Sequence, residues 1–144
     1  YLPKRMPNSL ALLALNQFNK LGLILRHQKD IASFYDENLK GTDLMLPSSG
    51  SGRVYLRYPV LANGINTDKL LKRARKKSIF LDDGWRKTPV VPYDTNHGKM
   101  VYHWGECPAA ERVARKIINL PVHIQTNKKK ALKIVNFLKD YLES

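Results

Sequence analysis

The stretch RVYLRYPVLANGINTDKLLKRARKKSIFL, Arg53 to Leu81, decides the fold class. Arg53 to Leu61 (RVYLRYPVL) is rich in β-branched and aromatic residues, a strand signal. Pro59 has no N–H to give a ladder, which moves the end of that strand toward an edge or a bulge. Asn63-Gly64 turns the chain, and Asn66, Thr67 or Asp68 caps a helix that runs to about Lys77. Ser78 to Leu81 (SIFL) reads as a second short strand, broken by Asp82-Asp83-Gly84 before Trp85. Strand, turn, helix and strand in succession call for an α/β or α+β unit with a small sheet.

Working toward the amino end, Pro47 to Gly52 (PSSGSG) is a turn too short to be a domain linker. Before it, Pro7, Asn8 and Ser9 suit a helix start, and Leu12, Leu15, Phe18, Leu21, Leu25 and Ile31 recur mostly at three- and four-residue spacing. Phe34 and Tyr35 follow, Gly22 interrupts the stripe without ending it, and Gly41 stops it. The pattern predicts one long helix over about 8–39, roughly 45 Å at 1.5 Å per residue. That exceeds what so small a domain needs, so part of it is expected to pack on something else.

Working toward the carboxyl end, Thr88 to Gly105 carries Pro89, Pro92, Gly98 and Gly105 and has no sustained period, so it reads as loop. Pro108 suits the first turn of a third helix, with Ala110, Val113, Ala114 and Ile117 as its apolar stripe. Asn119 to Ile124 (NLPVHI) reads as extended. Thr126 or Asn127 caps a last helix whose buried face is Ala131, Ile134, Val135, Leu138 and Leu142. The expectation is a single domain over 1–144, a long helix followed by an α/β body from about residue 53.

At 144 residues and 43% hydrophobic, the chain can bury a core without a disulfide or metal staple. Its single cysteine, Cys107, excludes an internal disulfide framework and a multi-cysteine zinc site. No apolar run approaches the roughly 20 residues of a membrane helix, and no signal-peptide pattern is present. A soluble, cytoplasmic protein is expected. The first residue is Tyr rather than Met, as in a piece of a longer protein.

Twenty-five Lys and Arg against twelve Asp and Glu give a net charge of +13. A polyanion partner is one reading and a solvated basic surface is the other. The densest cluster, Lys69, Lys72, Arg73, Arg75, Lys76 and Lys77, has no aromatic residue for base stacking, which argues against nucleic acid. No glycine-rich phosphate loop, GxSxG elbow or paired histidine spacing such as HExxH is present. Cys107 at a helix start could stabilise a thiolate, but a small packing residue is the plainer reading. Asp82 and Asp83, adjacent on a strand, would point to opposite faces, so a turn role beside Gly84 suits them better than an acid pair.

A set of short strings carries more than composition. RMPN (Arg5 to Asn8) opens the first helix, and Gln17-Phe18 lies within it. Ile31-Ala32 with Tyr35 follow His27-Gln28-Lys29. Later, Tyr102 precedes GECPAAE (Gly105 to Glu111), and INLPVH runs from Ile118 to His123. In this order they resemble the small domain of the DegT/DnrJ/StrS family of sugar aminotransferases, over nearly all of the chain. Two departures are Ile124, where a proline often follows the histidine, and the three lysines Lys128 to Lys130, where acidic residues are common.

The resemblance implies a fold-type-I, PLP-dependent aminotransferase acting on a nucleotide-linked keto-sugar, with glutamate as usual amino donor. In that family pyridoxal phosphate is held as a Schiff base on a lysine of the large domain, a domain without counterpart here. None of the lysines in this sequence matches that one, so the chain alone is expected not to transaminate. The partners implied are the large domain, a second copy in a homodimer, and the nucleotide-sugar. Arg5 and Asn8, at the amino end of the first helix, could approach the cofactor phosphate, although Asn8 equally suits a helix cap. Tyr102, His103 and Trp104 could line the sugar pocket from their loop, or simply pack beneath it. Trp85 and His123 read as structural. A basic nucleic-acid-binding module or a scaffolding relic is the alternative to the aminotransferase reading.

Overall fold

The computed structural model describes residues 5–48, 50, 52–81, 86–89 and 97–143. Asp82 to Trp85, expected as a turn and a packed indole, lie outside the described residues. Among the described residues the elements run α1 (Asn8–Asn19), α2 (Leu21–Leu39), β1 (Leu44–Met45), β2 (Tyr58–Ala62), α3 (Thr67–Lys76), a 3-10 turn (His97–Met100), α4 (Pro108–Lys116), β3 (Ile117–Leu120) and α5 (Lys128–Leu142). The strands form an antiparallel sheet in the order β1-β2-β3. The fold is mixed α/β, as expected.

The core gathers one face of each element. Tyr58, Val60 and Ala62 alternate inward along β2, with Ile118 and Leu120 beside them on β3. Ile31, Ala32, Tyr35 and Leu39 of α2 pack with Ala131, Ile134, Val135 and Leu138 of α5. Leu70, Leu71 and Ala74 bring α3 into the same cluster. Phe137, absent from the expected stripe, is buried on α5, while Leu142 is only half-buried. Tyr35 also ties α2 to the segment after β3, its hydroxyl donating to the Pro121 carbonyl at 3.0 Å.

The expected single helix over 8–39 is two helices broken at Lys20. The Lys20 N–H reaches back to the Gln17 carbonyl at 3.0 Å, and the Leu23 N–H to the Lys20 carbonyl at 3.1 Å. These three-residue bonds tighten the turn while Lys20 itself stays right-handed, so the helix is interrupted rather than stopped. Asn8 does not cap α1. It is the first helical residue, after Pro7, and no side-chain cap bond is made. No residue of α1 is buried. Leu12 is 68% exposed and Phe18 70%, so the α1 part of the apolar stripe that predicted the helix is left bare, whereas Ile31 and Tyr35 further along it are buried.

The strand expected over Arg53 to Leu61 begins only at Tyr58 and extends to Ala62. Pro59 lies inside it, opposite Asn119 of β3. β1 reaches only Leu61 and Ala62, so at Pro59 the middle strand is paired on one side and its missing N–H is tolerated. β1 itself, two residues long, escaped the sequence reading.

Ser78 to Leu81 is not a strand. Ser78 closes α3, at φ 56°, with its N–H bonded to the Arg75 carbonyl at 3.0 Å. The Ile79 N–H bonds to the Ala74 carbonyl at 2.9 Å, which completes a Schellman motif. Ile79 and Leu81 are buried and Phe80 is exposed, the alternation that imitated a strand. At the other end of α3, Asn66 is the cap, its side chain accepting the Lys69 N–H at 3.0 Å.

Asn127 caps α5 in the same way, accepting the Lys130 N–H at 2.9 Å. The extended segment expected over Asn119 to Ile124 starts earlier, at Ile117, and its ladder ends at Leu120 before Pro121. His123 therefore sits on a bend rather than in a strand. Its carbonyl accepts from His27 Nε2 at 3.2 Å and from the Thr126 N–H at 2.7 Å, a structural role. On α4 only Ala114 of the expected stripe is buried, and Val113 is exposed.

Candidate functional site

Pro108 opens α4 at its first turn, and the loop before it is folded back on that helix by Glu111. The Glu111 carboxylate accepts the Tyr102 hydroxyl at 2.6 Å and the Gly105 N–H at 2.6 Å, both at Oε1. Gly105 has φ 100°, a conformation that L side chains rarely adopt, so glycine is required at this turn. The Tyr102 hydroxyl, the Gly105 amide and the Cys107 amide hold the Glu111 carboxyl below its usual range. Partial burial and the bond to Glu111 push the Tyr102 hydroxyl up to about 12.

The three aromatic residues of this loop share one corner. Tyr102 and Trp104 meet edge to face, with ring centroids 6.2 Å apart. The Arg115 guanidinium lies 5.6 Å from the Trp104 ring centroid, a cation–π contact. Trp104 keeps 49% of its surface exposed. His103 faces solvent, its Nδ1 3.0 Å from Glu106 Oε1, and its backbone N–H donates to Glu106 Oε2 at 3.2 Å. That amide and then the imidazole keep the Glu106 carboxyl below its usual range. Chemically the corner offers an aromatic face, a cation behind it and an exposed imidazole. Such a surface can stack a ring and hydrogen-bond hydroxyls, and it holds no nucleophile–base pair.

Arg5 and Asn8 lie apart in the chain, at the exposed amino end of α1. Covalent attachment of an aldehyde cofactor needs a lysine in a water-excluded pocket, where desolvation frees its amine. Every described lysine is exposed except Lys139, which is half-buried. The described residues therefore do not fit a covalently held cofactor.

A second polar network missed by the sequence reading lies behind the aromatic corner. Arg86 is buried, donating from Nη1 to Asp68 Oδ1 at 3.0 Å and from Nη2 to Thr67 Oγ1. The Thr67 hydroxyl in turn donates to the Arg115 carbonyl at 3.0 Å, and the Lys87 N–H bonds to the Ala114 carbonyl at 2.7 Å. This fastens α3 and the Arg86 segment to the end of α4. No motif announces Arg86; the sequence shows only one more cation in a basic chain.

The sequence model described as the DegT/DnrJ/EryC1/StrS aminotransferase family matches residues 3–139. The chain belongs to this family. Among solved structures, the apo form of Spr1654 from Streptococcus pneumoniae, described as a sugar aminotransferase, superposes with a TM-score of 0.81 at 19% identity. That match covers 96% of this chain and 36% of the other. Spr1654 is also solved in PLP and PMP forms. PseC from Helicobacter pylori, an aminotransferase in pseudoaminic acid biosynthesis, gives 0.75 at 20% identity, covering 91% of this chain and 36% of its own. DesV from S. venezuelae gives 0.75 at 18%, covering 92% of this chain and 35% of its own. At these identities the likeness establishes the fold. The chain spans about a third of the length of these proteins. No curated protein sequence matches it significantly. Among the described residues no helix is long and apolar enough to cross a membrane.

Proposed function

We propose that this chain is the small domain of a pyridoxal-phosphate-dependent sugar aminotransferase, working beside a large domain that carries the reactive lysine. The family match over residues 3–139 supports this reading most directly. The PLP and PMP forms of Spr1654 support the choice of cofactor, which supplies the electron sink for amino transfer when bound. The substrate we infer is a nucleotide-linked keto-sugar, with glutamate as amino donor, in cytoplasmic nucleotide-sugar metabolism that feeds polysaccharide synthesis.

In this reading Tyr102, His103 and Trp104 form one wall of the sugar pocket. Trp104 stacks on the pyranose, Tyr102 holds Trp104 through its edge, and His103 meets sugar hydroxyls. Arg5 and Asn8, at the start of α1, contact the cofactor phosphate. The bare stripe of α1 is covered by the large domain and a second copy in a homodimer. The chain contributes binding and orientation, while bond-making belongs to groups outside it.

Two measurements test this. The purified chain mixed with pyridoxal phosphate, glutamate and a nucleotide keto-sugar is expected to give no turnover and no stoichiometric cofactor absorbance band. Turnover with such a band would refute the proposal. In a protein joining the chain to a large domain, Trp104→Ala is expected to raise KM for the sugar and leave cofactor absorbance unchanged. An unchanged KM would remove Trp104 from the pocket.

A further inference from the structure

Where the segment after α3 meets the start of α5, an open cavity of about 400 Å³ has two kinds of lining. Ile79, Phe80, Pro121 and Ile134 supply the apolar part. Ile79 and Ile134 are buried, whereas Phe80 keeps 73% of its surface exposed. The Schellman turn at Ser78 fixes the backbone just before Phe80, so its ring is held at the cavity by a rigid neighbour. The polar part includes His123, Thr126, Lys130 and Lys133, and no carboxylate is among the lining residues. Buried Thr126 steadies the imidazole: its Oγ1 lies 3.3 Å from His123 Nε2, and its N–H bonds to the His123 carbonyl. Lys130 Nζ donates to the Gln125 carbonyl at 3.0 Å, which anchors one ammonium, while the Lys133 side chain is exposed. An apolar wall with a few convergent polar groups is the usual make-up of a small-molecule site.

We propose that this cavity binds a small aromatic carboxylate. The ligand's ring lies against Phe80 and the apolar lining, which takes the exposed phenyl face out of water. Its carboxylate meets Lys133 and the His123 imidazole, with Lys130 adding positive field. Charge complementarity selects the anionic end, since two cations and no acid line the cavity. Pockets that enclose drug-sized ligands measure about 300–1,000 Å³, so a cavity near the lower end suits a single ring. The cavity shares no residue with the aromatic corner of the proposed sugar wall, and the inference does not rest on the aminotransferase reading.

The test is an NMR titration of the 144-residue chain with benzoate, following the Phe80 ring and Ile134 methyl signals. Saturable movement of both is expected, with acetate and benzyl alcohol each binding about tenfold more weakly or worse, for want of the ring or the charge. Phe80→Ser, a change at an exposed residue, is expected to weaken benzoate binding about fivefold, the loss of one aromatic contact. Lys133→Gln is expected to weaken it about tenfold and to leave benzyl alcohol unaffected. Lys128→Gln removes the same charge outside the cavity and is expected to change binding less than about twofold. Unmoved Phe80 and Ile134 signals overturn the proposal, and so does acetate or benzyl alcohol binding as tightly as benzoate. Equal weakening by Lys133→Gln and Lys128→Gln overturns it as well, because only the net charge would then be felt.

Discussion

The Tyr102 hydroxyl donates to Glu111 Oε1 at 2.6 Å, joining the loop before α4 to the first turn of that helix. The same oxygen accepts the Gly105 N–H, so one carboxylate sets the course of the loop that presents Trp104.

Glu111→Gln is expected to loosen that loop without unfolding the domain. Hydrogen exchange at the Gly105 amide should speed up, while amides in α5 keep their protection. The pH dependence has two edges. The Glu111 pKa is lowered on folding, so its contribution is present above the ordinary glutamate value and lost as pH falls through the lowered one. The Tyr102 pKa is raised to about 12, so its contribution is complete below the ordinary tyrosine value and lost as pH rises toward 12. Protection at Gly105 that stays flat across both edges would disprove the anchor.

Ser78→Gly is expected to stabilise the domain by about 1 kcal/mol, because the left-handed conformation costs an L residue roughly 1–2 kcal/mol. Ser78→Val should destabilise it by more, since a β-branched residue at φ 56° is a genuine outlier. Thermal or urea unfolding of the two variants checks the order.

Ser78 also shows where sequence reading stops. Helices and caps were legible because they are written locally: Asn66 and Asn127 each sit three residues before the amide they accept. Strands depend on a partner, which local pattern does not contain. Ser78 to Leu81 alternates like a strand yet pairs with no strand among the described residues, whereas Leu44–Met45 pairs but is too short to show a period. The aromatic corner was legible only as three residues on a loop. Its hinge, Glu111, lies nine positions from Tyr102 and on a different element. The Arg86 network depends on contacts across 18 and 19 positions, so no spacing rule could have found it.

Tyr35→Phe is expected to cost about 1–2 kcal/mol, mostly from leaving the Pro121 carbonyl without its donor. The ring itself stays packed against Tyr58, with centroids 5.3 Å apart, so the loss should be that of the hydroxyl alone. Urea unfolding measures it. A loss below about 0.5 kcal/mol, the scale of ordinary surface changes, would show that the link between α2 and the end of β3 contributes little.

Leu12→Lys and Phe18→Lys together are expected to leave the unfolding midpoint of the chain nearly unchanged, because α1 buries no residue in this unit. Each should stay within about 0.5 kcal/mol, while self-association measured by sedimentation falls. A large loss of stability would mean that the α1 stripe already supports this fold.

The joint at Lys20 gives α1 an independence that the other helices lack. With no side chain of its own in the core, its angle to α2 is set at one tight turn and by whatever surface it lies against. Substitutions along α1 should therefore be tolerated by this body and filtered only by the neighbour it touches. In evolutionary terms it is an adapter, free to drift with its mating surface while the sheet and its covering helices hold their composition.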